Sequence, residues 1–129
     1  MKFSFFAKNT EELRKNLKNY LALIKQKQFL LLSGEIGSGK TTFVKILGSL
    51  LNVHENITSP SFNYMKIYPN LVHIDLYTFQ GDIDEFEDYF ENNIVAIEWP
   101  EKKELSFIHY IKVNITKRND ERKYDFEVV

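Results

Sequence analysis

Residues Gly34, Glu35, Ile36, Gly37, Ser38, Gly39, Lys40 and Thr41 spell the full G-x-x-x-x-G-K-[ST] phosphate-binding loop. This pattern constrains the fold because it works only in one local setting. A strand must deliver the chain into the loop and a helix must leave it, so that inward-turned backbone N–H groups and the positive end of the helix converge on one anion. The flanks meet that demand. Gln28 to Ser33 is a short apolar run that reads as a buried strand, and Phe43, Leu47, Leu50 and Leu51 recur at helical spacing, with Val44 and Ile46 broadening the face. In such a loop Lys40 reaches the β- and γ-phosphates of a nucleotide and the Thr41 hydroxyl binds Mg²⁺.

The rest of the chain reads as one α/β domain over residues 1–129, a mixed parallel/antiparallel sheet flanked by helices and ended by a C-terminal β-hairpin. Lys2 to Phe6 is a first strand. Asn9 with Glu12 resembles a capping box for a helix whose Leu13, Leu17, Tyr20, Leu21 and Ile24 share a face. Ile57 to Pro60 reads as a loop, and the apolar runs Phe62–Tyr68 and Leu71–Leu76 around Pro69-Asn70 look like a hairpin. Asp82 with Glu85 starts a short helix bearing Ile83, Phe86 and Phe90. Asn93 to Ile97 is another buried strand. Ile111, Val113 and Ile115 alternate with polar residues, and a polar turn from Lys117 to Glu121 leads into a last strand, Lys123 to Val129.

Bulk properties exclude several chemistries. The formal net charge of −1 gives no strong electrostatic hold on DNA, RNA or a membrane. The absence of cysteine rules out disulfides, thiol nucleophiles and cysteine metal sites. The first residues do not form a signal peptide and no apolar run is long enough to span a bilayer, so a cytoplasmic location is expected.

A nucleotide site also needs acids at strand ends. Two apolar runs end in one, at Asp75 and at Glu98, and both acids are expected near the metal or the attacking water. Thr58 and Ser59 sit where a switch segment would sense a γ-phosphate. Trp99, beside Glu98, packs near the nucleotide or contacts a partner. His73 alternates with Ile74 in a way that would orient Asp75. The acidic stretch from Asp82 to Glu91 is a solvated face or a docking surface for a basic partner. The arginines are Arg14, Arg118 and Arg122, with none between the phosphate loop and Glu98. Phosphoryl transfer draws heavily on arginine, which points to a slow ATPase completed by a partner. It counts against a small-molecule or nucleotide kinase, while a nucleotide-sensing binding module stays open. Asp75 is followed by Leu76-Tyr77-Thr78, without the glycine of a GTPase, and Thr116-Lys117-Arg118-Asn119 lacks the acid that reads guanine, so ATP is expected.

Four stretches in order, Gly34 to Phe43, Thr58 to Phe62, His73 to Tyr77 and Ile97 to Glu101, resemble the bacterial TsaE (YjeE) family, small ATPases needed to make threonylcarbamoyladenosine in tRNA. The resemblance implies that Lys40, Thr41 and Thr42 hold nucleotide phosphate and Mg²⁺. It implies that Thr58 to Phe62 is a switch loop and that Asp75 and the Glu98-Trp99 pair are site residues. It further implies action with the TsaB–TsaD heterodimer, ATP hydrolysis to ADP resetting that complex between turnovers, and contact with tRNA only through those partners. Family sequences usually carry arginine where this chain has Thr78.

Overall fold

The computed structural model describes residues 1–60 and 63–129. Its seven-stranded sheet is built from β1 (Lys2–Ala7), β2 (Phe29–Ser33), β3 (Met65–Tyr68), β4 (Leu71–Asp75), β5 (Ile94–Glu98), β6 (Ile111–Arg118) and β7 (Glu121–Val128), in the spatial order β1-β7-β6-β2-β5-β4-β3. The middle four strands, β6, β2, β5 and β4, run parallel, and antiparallel partners close both flanks. The expected mixed sheet with a C-terminal hairpin is what the chain forms.

Two helices, α1 (Thr10–Lys27) and α2 (Lys40–Leu50), cover one face. Leu13, Leu17 and Ile24 of α1 and Phe43, Val44 and Leu47 of α2 pack there against Leu30, Leu32, Ala96, Ile111 and Val113. Period-two alternation sends Leu31, Val72, Ile74, Val95 and Ile97 to the opposite face. There the cover is a 3-10 helix, Ile83–Tyr89, and aromatic residues of the segment before β6, with the Phe29 and Phe107 rings stacked at 3.9 Å.

The expected short helix at Asp82 forms as a 3-10 helix: Ile83 and Phe86 stand three apart, the spacing that eclipses in a 3-10 turn. Two details depart from the sequence reading. The capping box is offset by one residue. Asn9 accepts from Glu12 N at 2.9 Å, but the Glu12 carboxylate takes its bond from Lys8 N at 2.7 Å. The last strand begins at Glu121 rather than Lys123, because Arg118 and Glu121 still pair across a tight turn at Asn119-Asp120. Of the predicted hairpin arm and switch segment, Ser61 and Phe62 lie outside the described residues.

Candidate nucleotide site

The parallel strands β2, β4 and β5 end at one edge, where the loop into α2 begins. Gly39 is the N-cap of α2, with φ 110°, a left-handed value that glycine adopts without strain. Ser38 is buried beneath the loop, whereas Ile36 stands 76% exposed at its tip. A cavity of about 240 Å³ opens among Gly37, Gly39, Lys40, Thr41, Thr42, Glu98 and Trp99. A larger one, about 560 Å³, lies beside it between Gly34, Trp99, Glu101, Asn114, Thr116 and Lys117.

Lys40 is only 5% exposed. Its Nζ donates to the carbonyls of Gly34 at 2.5 Å and Glu35 at 3.1 Å, and lies 4.1 Å from the centre of the Trp99 ring. Burial holds its pKa below the usual 10.5, against the opposing attraction of Glu98, Glu101 and Asp75. Trp99 reaches this position by a sharp turn out of β5, with φ 59° and ψ 49° ahead of Pro100. A left-handed tryptophan costs about 1–3 kcal/mol, which fits a residue held for its place in a site. Tyr77 supports it, with ring centroids 4.7 Å apart.

Glu98 is buried at the end of β5, on the helix-covered face. Thr41 Oγ1 donates to its Oε2 at 2.9 Å. His73, fully buried one strand away, meets the same oxygen through Nε2 at 2.5 Å. A carboxylate only accepts, so the imidazole donates from Nε2. Among the described residues Nδ1 then has no partner. The expectation that His73 orients Asp75 is therefore corrected. Strand alternation sets both on the same face, but the register pairs His73 with Ala96 on β5, one pleat from Glu98.

Asp75 faces Glu98 across the β4–β5 ladder. Its Oδ1 accepts from Tyr77 N at 3.0 Å, an Asx turn, and its Oδ2 from Ser59 Oγ at 3.5 Å. Thr58 is held otherwise: Lys66 Nζ donates to its Oγ1 at 2.7 Å. The structure thus brings Lys40, Thr41, Glu98 and Trp99 together around one cavity, while Thr58 is turned to β3.

Two residues of this edge were missed from sequence. Lys66 is one. The other is Arg122 of β7, whose Nε donates to the Ser38 carbonyl at 2.6 Å. The signal was alternation, since Arg122, Tyr124 and Phe126 share the helix-covered face once β7 begins at Glu121.

The sequence model described as "Threonylcarbamoyl adenosine biosynthesis protein TsaE" matches residues 7–124. The tRNA threonylcarbamoyladenosine biosynthesis protein TsaE of Rickettsia typhi is 35% identical over 118 residues, covering 83% of this chain and 82% of the relative. That of Streptomyces coelicolor is 36% identical over 92 residues, 63% of this chain and 62% of the relative. The crystal structure of Bacillus subtilis YdiB superposes with a TM-score of 0.69 at 25% identity, covering 100% of this chain and 86% of that one.

Proposed function

The chain belongs to the TsaE family of tRNA threonylcarbamoyladenosine biosynthesis proteins, and from that premise we propose that it is a Mg²⁺-dependent ATPase acting with TsaB and TsaD. The observation that carries the proposal is the junction Thr41–Glu98–His73, which ties the first turn of α2 to a strand-end acid.

The residues present fit a nucleotide and its metal. Lys40 is a buried cation resting on its own loop's carbonyls and an indole face, contacts it can exchange for β- and γ-phosphate oxygens. Thr41, Glu98 and Asp75 supply hard oxygen donors, the set Mg²⁺ prefers, and Mg²⁺ commonly uses one or two carboxylates plus substrate phosphates. When bound, the ion would neutralise charge between the β- and γ-phosphates. The chain's own groups do the rest. Thr41 and His73 both engage Oε2 of Glu98, which leaves Oε1 for the metal or for the attacking water. Backbone N–H groups from Gly37 to Thr41, with Thr42, would cradle the phosphates. The larger neighbouring cavity has the volume of an ordinary small-ligand site and would take base and ribose.

Slow hydrolysis by the chain alone is expected, because none of Arg14, Arg118 and Arg122 lies between the phosphate loop and Glu98, and Arg14 is bonded to Ser49 and Arg122 to Ser38. A transition-state arginine would come from the partner, where such a residue is worth about 10³–10⁵ in rate. With a net charge of −1, tRNA would be met through TsaB–TsaD and hydrolysis would reset that assembly between turnovers.

The test is ATP hydrolysis by the purified chain, alone and with TsaB–TsaD, against Lys40→Ala and Glu98→Ala. Stimulation by the partners that both substitutions abolish is the expected result. Failure to bind ATP, or binding with no partner-stimulated hydrolysis, would overturn the proposal.

A further inference from the structure

The phosphate loop is backed by a residue far away in sequence. Arg122 Nε donates to Ser38 O at 2.6 Å, and the two residues are 84 positions apart. The same side chain packs closely beside Gly39: a β-carbon there would lie 3.1 Å from Nε, 3.4 Å from Cδ and 3.7 Å from Cζ. The Ser38–Gly39 peptide is therefore gripped on one side by a charged donor. That peptide is planar and trans, so its C=O and N–H point in opposite directions. A carbonyl anchored on Arg122 turns the Gly39 N–H away from the arginine, and Gly39 is among the residues that line the cavity with Lys40 and Thr41.

We propose that Arg122 is a positioning residue of the nucleotide site, one that aims the Gly39 N–H at a nucleotide phosphate by holding the Ser38 carbonyl. The inference rests on the nucleotide-binding reading above and deepens it. Arg122 acts through the peptide. A loop left free to rotate at this peptide would pay the ordering cost on each binding event, and the backbone donor to an anion would be lost for part of the time.

Two substitutions separate the bond from the charge. Glutamine carries its amide nitrogen the same number of bonds from Cβ as arginine carries Nε. Arg122→Gln thus keeps an N–H donor at that place without the charge, and Arg122→Met keeps neither. Affinity for ADP and for inorganic pyrophosphate is followed by the fluorescence of Trp99, the chain's single tryptophan, whose ring lies beside Lys40. Thermal unfolding of the ligand-free protein is measured in parallel. Loss of the bond in Arg122→Met is expected to weaken both ligands about tenfold or more. Arg122→Gln is expected to stay within about threefold of the wild type on the same scale. Equal losses in the two variants would mean that the charge acts rather than the bond, and would overturn the proposal. Unchanged affinity in Arg122→Met, with or without a lower melting temperature, would overturn it as well. A wild-type protein that binds neither ADP nor pyrophosphate would instead break the nucleotide-binding reading itself.

Discussion

On the phosphate-loop side of the strand-end edge, Glu98 is buried and takes bonds of 2.9 and 2.5 Å from Thr41 and His73, the latter with no exposed surface. On the hairpin side, Asp75 is half-buried, its bond from Ser59 stretches to 3.5 Å, and Thr58 is engaged by the flexible Lys66 ammonium. Both sides offer an acid and hydroxyls at the carboxyl ends of parallel strands. They differ in what holds them. The first is built into the core and is set before any ligand arrives; the second rests on bonds that a ligand could exchange. On the proposed nucleotide-binding function, the first half would bind and the second would respond.

The sharpest way to break this comparison is to remove each acid in turn. Glu98→Ala strands a buried His73 N–H and removes the acceptor of the part-buried Thr41 hydroxyl, so unfolding stability should fall by about 1–3 kcal/mol. Removal of such a fixed charge at a phosphoryl-transfer site should also lower hydrolysis by about 10²–10³. Asp75→Ala gives up an Asx-turn bond at a half-exposed position and should cost no more than about 1 kcal/mol. Denaturant titrations of the two variants decide the point: equal losses would dissolve the distinction.

Lys40→Met tests the preset half more finely. The substitution should abolish nucleotide binding yet raise the stability of the ligand-free protein by about 1 kcal/mol, because it removes a charge whose burial costs free energy. The sign with pH follows from linkage. The folded pKa of Lys40 lies below its usual 10.5, so the penalty is fully present at neutral pH and fades as pH rises from the folded value toward 10.5. The stability gap between the variant and the wild type should narrow over that alkaline range. Burial raises the pKa of Tyr124 above 10.0, but this contribution is common to both proteins and cancels.

The smallest effect belongs to Thr58→Val, which releases Lys66 and should move the melting free energy by no more than about 0.5 kcal/mol. A loss as large as that of Glu98→Ala would show the hairpin side to be as firmly set as the other.

How much of this could be read from the sequence depends on range. The strand, loop and helix around Gly34 to Thr41 declare themselves within some twenty residues, as do the acids that end β4 and β5, because each signal is local. His73 was legible as a strand residue but not as Glu98's partner; that needs the knowledge that β4 lies beside β5 in the register pairing Asp75 with Glu98. Alternation gives the face on which Arg122 stands, but its meeting with the loop depends on β7, β6 and β2 standing in sequence across the sheet, an order that alternation does not encode.

The grip of Arg122 on Ser38 also has a consequence for how the protein is made. The arginine follows the loop by 84 residues, and at about 5–20 residues per second a ribosome needs roughly 4–17 s to cover that distance. Throughout that interval the loop exists without its backing. On the proposed role of Arg122, a nascent chain would emerge unable to capture nucleotide firmly, and competence would arrive late in synthesis, once β7 has paired with β6.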